Sequence, residues 1–334
     1  MSLQNIIFNI RLPFPLLSQP SRHPSTTIIP YLYQYQIIKM VALNSSAIQP
    51  ELAGKVALVT GGGRGIGSGI ALELAKKGAS VAINYASSSQ TADKVVQEIQ
   101  AQGVKGAAFQ ADLTNVDSIG NLFSQVVAHF GQLDIVVSNA GTEKFVSLAD
   151  TTLKDFNDVF DLNTRAQFFV AKNAYDHIQP GGRVVLMSSI AAGVGVPGHS
   201  LYAGSKSAIE GFTRCFAADF GKKRCTVNAI APAGIKSDMW LSNSWRYAPG
   251  CDQNSSLEEI EQALADGSPL KRCGVPADIG RVVAFLASPA GEWINGMYWN
   301  AYFIPSGTWL ILCRSDSAPE WRCQYLRRRE NLGF

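Results

Sequence analysis

The six cysteines of this 334-residue chain show no C-x-x-C spacing and are too sparse for a disulfide framework. Cys215, Cys225, Cys251, Cys273, Cys313 and Cys323 therefore read as free thiols of a reducing compartment, and no zinc site is expected. No run of about 18 uninterrupted apolar residues exists, so a membrane-spanning helix is not expected. Charge is scarce as well: 16% of residues are charged and the net charge is +3. Residues 1–50 have no acid at all against Arg11, Arg22 and Lys39, and from Met297 onward five Arg face three acids. The stretch between is net acidic, so the part expected to fold offers no basic footprint for nucleic acid. Hydrophobic content of 46% is that of a globular protein with a sizeable core.

Residues 1–50 are rich in Pro, Ser, Ile and Tyr and have no clear period. Their lack of acids gives a faint likeness to an organelle transit peptide. The preferred reading is a dispensable, disordered leader, because Met40 is followed by Val-Ala-Leu-Asn and then by a well-patterned domain. A cytoplasmic location follows from that reading, and targeting by residues 1–40 is its alternative. From residue 51 the pattern changes. Short apolar runs predict strands over 55–60, 80–84, 105–110, 133–138, 183–187 and 225–230. Amphipathic stretches predict helices over 68–77, 91–102, 116–130, 153–179, 202–220, 257–265 and 278–287. Strict β/α alternation with short connections predicts an α/β fold, a single Rossmann-type doubly wound parallel sheet over 51–296. Residues 236–268 break the alternation. They are aromatic and loop-like, and a long segment after a strand's carboxyl end is where a substrate lid sits. Met239, Trp240, Trp245 and Tyr247 are its candidate substrate contacts.

The chemistry concentrates in two places. Tyr202-Ala-Gly-Ser-Lys206 sets a phenol and an ammonium four residues apart, on one face of a helix. A free tyrosine, with a pKa of about 10, is a poor acid or base at neutral pH. A cation within reach lowers that pKa. Ser189 follows a predicted buried strand, where its hydroxyl can bond a substrate carbonyl while Tyr202 delivers a proton. Alone, such a pair is more often a half-buried tyrosine beside a solvated lysine.

The second place is Gly61-Gly-Gly-Arg-Gly-Ile-Gly67, which follows a predicted strand and opens a helix. There the backbone can approach a pyrophosphate at the helix amino end. Nicotinamide sites for NAD put an acid after the second strand. Here that place reads Asn84-Tyr85-Ala86-Ser87-Ser88, without one. Arg64 can meet a 2′-phosphate through a charge-assisted bond, helped by Ser87 and Ser88. The cofactor expected is NADPH, with Gly61, Arg64, Gly65, Ile66 and Gly67 at its phosphates. Asp112, after the third strand, is either an acceptor for the adenine amino group or a plain helix cap.

Taken together, Thr60-Gly-Gly-Gly-Arg-Gly-Ile-Gly67, Ser138-Asn-Ala-Gly141, Asn163, Ser189, Tyr202-x-x-x-Lys206 and Asn228-x-Ile-x-Pro232 resemble the short-chain dehydrogenase/reductase family over about residues 51–296. Within it, Asn163-Thr-Arg-Ala-Gln-Phe-Phe-Val170, Ala233-Gly-Ile-Lys-Ser-Asp-Met239, Arg246-Tyr-Ala-Pro-Gly250 and Ser268-Pro-Leu-Lys-Arg272 are similar to fungal polyketide reductases of the trihydroxynaphthalene and versicolorin reductase type. The resemblance implies a tetrad. Tyr202 is its proton donor, Lys206 depresses the phenol's pKa and binds ribose, Ser189 polarises the carbonyl, and Asn163 holds a relay water to Lys206. Asn139 then shapes the cofactor site, and Ile235 and Ser237 meet the nicotinamide and its amide. The reaction implied is NADPH-dependent reduction of a flat, partly apolar ketone, such as a polyketide or phenolic intermediate, in a homo-oligomer, dimer or tetramer. A 3-oxoacyl thioester reductase and an NADP-dependent alcohol dehydrogenase are near alternatives. An impaired nucleotide-binding protein is the alternative of another class.

Two departures from the family pattern set tests for the structure. Ala233 stands where the family has Gly after Pro232, and its Cβ crowds the cofactor if the backbone there needs positive φ. After Gly291-Glu-Trp-Ile-Asn-Gly296, the short last strand and its Gly-Gly pair give way to Met297-Tyr-Trp-Asn-Ala-Tyr-Phe and an Arg-rich tail over 297–334. Completion of the sheet, the pocket floor and oligomer packing all depend on that replacement.

Overall fold

The computed structural model describes residues 50–300. The leader and the tail beyond residue 300, with Cys313 and Cys323, lie outside the described residues. In chain order the elements are β1 (Val56–Val59), α1 (Gly65–Lys76), β2 (Ser80–Tyr85), α2 (Ser89–Gln100), β3 (Gly106–Gln110) and α3 (Val116–Phe130). Next come β4 (Ile135–Ser138), α4 (Leu153–Phe160), α5 (Ala166–His177), β5 (Arg183–Met187), α6 (Ser200–Gly221) and β6 (Thr226–Ala231). The last are α7 (Asp238–Asn243), α8 (Leu257–Gly267), α9 (Pro276–Ala287) and β7 (Tyr298–Asn300).

Among the described residues the strands form one seven-stranded sheet in the order β3-β2-β1-β4-β5-β6-β7, with every pairing parallel. A parallel sheet needs both faces covered, and the pleat sends alternate residues to each. Ala57 and Val59 of β1 pack with α1, α2 and α9, while Val56 and Leu58 pack with α3, α5 and α6. Helix α9 lies against α1 at very short range. A Cβ on Gly69 would stand 2.5 Å from Pro276, and one on Gly280 2.5 Å from the Gly69 carbonyl oxygen.

Two expectations are revised. The helix predicted over 153–179 ends at His177 and is interrupted by a π-helical turn over Asp161–Arg165. Hydrophobic periodicity does not register a single wide turn, yet such turns cluster at functional sites. The unusual sequence after Gly296 still supplies a last strand. Tyr298 and Trp299 pair with Ala229 and Ile230 of β6. Asn228 steers this segment into place: its amide donates to the Ile294 carbonyl (2.7 Å) and its Oδ1 accepts from the Met297 amide (3.1 Å). Among the described residues the sheet thus has its seventh strand despite the departure from the family pattern.

Candidate active site

The strand order reverses between β1 and β4, so the crevice of an open α/β sheet is expected at their carboxyl ends. A cavity of about 660 Å³ occupies that place, running from the glycine loop to Tyr202 and the start of the 236–268 segment. Thr60 closes the junction, its hydroxyl accepting from the backbone amides of Asn139 (2.9 Å) and Ala140 (3.1 Å). Asn139 returns its side-chain amide to the Thr60 carbonyl (2.9 Å), which fixes the glycine loop to the end of β4.

Gly61 and Gly65 have left-handed backbone (φ +61° and +54°), which Cβ-bearing residues rarely adopt. At Gly67 space is the constraint: a Cβ would lie 2.2 Å from the Gly61 carbonyl oxygen. Asn84 is buried and lines the cavity, but its amide is committed to the chain. Its Oδ1 accepts from the Gly61 amide (3.3 Å) and its Nδ2 donates to the Ala111 carbonyl (3.0 Å). Asn84 therefore braces the loop, while Tyr85, Ala86, Ser87 and Ser88 line the space beside it.

Asp112 also lines the cavity, and its carboxylate accepts from the Thr114 amide (2.9 Å) and hydroxyl (2.8 Å). It makes a local turn. The cap of α3 is Asn115, which corrects the helix-cap alternative for Asp112. Arg64 extends to Asp238 at the start of the lid segment (3.1 Å), both side chains being mostly exposed. Exposed pairs of this kind contribute only about 0–1 kcal/mol, so Arg64 is easily redirected. Ala233 has ordinary backbone; the left-handed residue here is Gly234 (φ +56°), so the feared crowding by Ala233 does not arise.

The β5 end and α6 bring Ser189, Tyr202 and Lys206 together, and the π-turn places Asn163 across Gly141 from Lys206. Lys206 is buried, and its ammonium donates to the Met187 carbonyl (2.9 Å). Ser188 turns toward the Lys206 carbonyl (3.2 Å) and Glu210, which leaves Ser189 as the hydroxyl beside Tyr202. Asn163 sits fully buried in the π-turn. Its Oδ1 accepts from the Thr142 amide (2.8 Å), and its Nδ2 donates to the Thr142 carbonyl (2.8 Å) and the Ser205 hydroxyl (3.1 Å). Its side chain is thus committed to protein partners, and its backbone carbonyl accepts from Gln167 (2.9 Å).

One electrostatic expectation reverses. Burial, followed by the negative charge of Glu143, raises the Tyr202 pKa, and the Ser189 hydrogen bond lowers it only in part. Burial also pulls Lys206 down to about 8, against the charge of Glu143. The protein interior thus holds the phenol protonated, and Lys206 does not overcome that penalty.

In the lid segment, Met239, Trp240 and Tyr247 line the cavity, but Trp245 does not. Trp245 packs instead against the segment's own small core of Trp240, Ala248, Ile260, Leu264 and Cys273. Ile235 lines the cavity from a bridge to Gly274, and Ser237 caps α7 by accepting from the Trp240 amide (3.3 Å). The structure adds residues that the spacing did not single out. Gln167 ties Asn163 to both the amide (3.0 Å) and the carbonyl (3.0 Å) of Met187. Glu143 and His199 form a buried pair 3.1 Å apart beside Tyr202. The available signals were weak: a lone acid just after Asn139-Ala-Gly-Thr, and a histidine three residues before Tyr202.

The family model described as enoyl-(acyl carrier protein) reductase matches residues 61–300. Hydroxynaphthalene reductase arp2 of Aspergillus fumigatus is 74% identical over 249 residues, 75% of this chain and 91% of that protein. Tetrahydroxynaphthalene reductase PfmaG of Pestalotiopsis fici is 52% identical over 255 residues, 76% of this chain and 92% of that protein. Among solved structures, a short-chain dehydrogenase from Burkholderia cenocepacia in complex with NADP is 37% identical, with a TM-score of 0.66 over 74% of this chain and 96% of that one.

Proposed function

We propose, from the premise that this chain belongs to the short-chain dehydrogenase/reductase family, that it is an NADPH-dependent reductase of a polycyclic hydroxy-aromatic ketone. The single observation that carries the reading is the convergence of Ser189, Tyr202 and Lys206 on the floor of a cavity that also holds the glycine loop. The names of the fungal relatives supply the substrate class. The residues present suit the cofactor: left-handed Gly61 and Gly65 and the crowded Gly67 let the chain come close to a diphosphate at the amino end of α1. No acid stands at the Tyr85–Ser88 turn to repel a 2′-phosphate.

NADPH, when bound, would supply the hydride for the carbonyl carbon. Tyr202 gives its phenolic proton to the oxygen as that oxygen gains charge, so the ketone becomes a secondary alcohol. Ser189 donates to the same oxygen and stabilises the developing alkoxide. Lys206, anchored by its bond to the Met187 carbonyl, would hold the ribose hydroxyls of the cofactor with its ammonium. Asn163 ties the loop at Thr142 to Ser205 of α6. Residues 236–268 act as the lid, with Met239, Trp240 and Tyr247 facing a flat substrate.

The reading is tested by following NADPH oxidation against a panel of polyhydroxynaphthalenones and simple ketones. NADPH binding without turnover on any ketone would replace it with a nucleotide-binding role. The cofactor assignment has its own test. Arg64→Ala is expected to weaken NADPH at least about tenfold more than NADH, the scale of one charge-assisted bond. Equal losses for both nucleotides would move the 2′-phosphate contact to the Ser87–Ser88 turn.

Self-association is also part of the reading. Phe168 of α5 is partly exposed and meets Phe212 and Phe216 of α6 at 5.3 and 5.4 Å, an apolar edge suited to a second copy. Sedimentation at micromolar concentration that returned only monomer would remove it. No helix among the described residues is long and apolar enough to cross a membrane. A cytoplasmic location fits that finding, and imaging of a tagged chain in an organelle would overturn it.

A further inference from the structure

Glu143 is a carboxylate that the chemistry above does not use, and it is nearly inaccessible, its side chain 6% exposed. A buried carboxylate is costly unless donors surround it. Three groups meet it. The Tyr247 hydroxyl donates to Oε1 (2.6 Å), His199 Nε2 lies 3.1 Å from the same oxygen, and the Asn243 amide donates to Oε2 (2.8 Å). Both donors belong to the lid, and His199 stands at the start of α6. His199 is itself sandwiched, stacking on Phe145 (4.1 Å between centroids, 2°) and on the ring of Tyr202 (4.6 Å, 18°).

The loop that carries Glu143 does not need its carboxylate for support. Thr142 is tied to Asn163 on both backbone groups, and the Val146 amide donates to the Gly198 carbonyl (2.8 Å). An apolar side chain against Phe145 would avoid the cost of burying a charge. The ion pair between the lid and the glycine loop, Arg64–Asp238, is exposed and holds little. The buried acid is therefore placed where it fastens one thing, the aromatic lid, to the acid residue of the reaction.

We infer that Glu143 is a positioning residue that clasps the lid through Tyr247 and Asn243 and so makes the site selective for flat aromatic ketones over small ones. The inference rests on the reductase reading above and adds the residue that sets its substrate shape. Tyr247, held by its hydroxyl, keeps its ring at the cavity wall, where a planar substrate stacks. Released, it leaves a wider and less discriminating mouth. Small ketones do not use that wall and lose little.

The groups facing Tyr202 are Glu143, Lys206, Tyr247, His199 and Ser189, with Arg246 beside Tyr247. Of these, Glu143 is the anion, and its charge raises the phenol's pKa in company with burial. Its charge also holds the Lys206 pKa up, so removing it moves the alkaline limb of the rate profile, where Lys206 is the first group to lose its proton, to lower pH.

The test uses the full chain and the variants Glu143→Gln, Tyr247→Phe and the double variant. Each is assayed with NADPH on a polyhydroxynaphthalenone and on a small aliphatic ketone across pH. Each single change is expected to lower kcat/KM for the aromatic ketone about 10- to 100-fold, mainly through KM, and to leave the small ketone within about threefold. The double variant should be no worse than the poorer single one, and only Glu143→Gln should move the alkaline limb. Hydrogen exchange read over Asp238–Ala248 should quicken in both variants without any substrate. Equal losses on both ketones, multiplicative effects in the double variant, or unaltered exchange in the lid would each overturn the inference. If the unaltered chain reduced no ketone, the reductase reading would fail instead, and lid exchange would still decide whether Glu143 is the clasp.

Discussion

Replacing Tyr202 with Phe should abolish ketone reduction, by about 10²- to 10⁴-fold in kcat, while NADPH binding stays within about twofold. The asymmetry follows from where the hydroxyl sits. Its ring stacks on His199 and its backbone carbonyl accepts from Ser205, and both contacts survive the loss of one oxygen. What disappears is the proton source beside Ser189. Burial and Glu143 keep Tyr202 protonated far above neutral pH, so the proton is in place at the start of each turnover. Lys206, drawn down to about 8, gives up its charge first as pH rises. Reduction should therefore weaken on the alkaline side by loss of the lysine ammonium before the phenol ionises. Stopped-flow turnover paired with NADPH fluorescence titration separates the two steps. A variant that kept a tenth of the rate would mean that water or Ser189 supplies the proton, and Tyr202 would lose its role.

Ser189, Tyr202, Lys206 and the glycine loop could be read from the sequence because each depends on local geometry, whereas Asn163 came only with the family resemblance. Tyr202 and Lys206 are one helical turn apart, Ser189 follows a strand, and Gly61 to Gly67 bridge a strand and a helix. The strands could be read for a related reason, since residues buried on both faces leave unbroken apolar runs. The lid clasp could not. Glu143 meets Asn243 and Tyr247 across 100 and 104 residues, and no local pattern marks such a pair. Trp245 misled because an aromatic residue in a loop signals a pocket and a small core equally well. The π-turn at Asn163 was hidden by a period that simply continues through it. The pKa of Tyr202 was misjudged because spacing reveals a neighbouring charge but not the depth at which both groups are buried.

Gly67→Ala should cost about 1–3 kcal/mol of stability and at least about tenfold in NADPH affinity, although alanine is the better helix former. Gly67 lies in the first turn of α1, where the substitution would by propensity alone gain up to about 1 kcal/mol. Contact decides otherwise. The new Cβ would stand 2.2 Å from the Gly61 carbonyl oxygen and 2.6 Å from the Asn139 amide, the two groups that hold the loop to β4. The loop must move, and it is the loop that has to approach a diphosphate. The control is Gly211→Ala in the middle of α6, where the added Cβ meets nothing within 4 Å. There propensity acts unopposed, and stability should rise by about 0.5–1 kcal/mol with unchanged NADPH binding. Thermal melts and nucleotide titrations of the two variants should therefore move in opposite directions from one kind of substitution. If Gly67→Ala bound NADPH as well as the unaltered chain, the loop would not be the cofactor's seat, and the site would have to be rebuilt around the Tyr85–Ser88 turn.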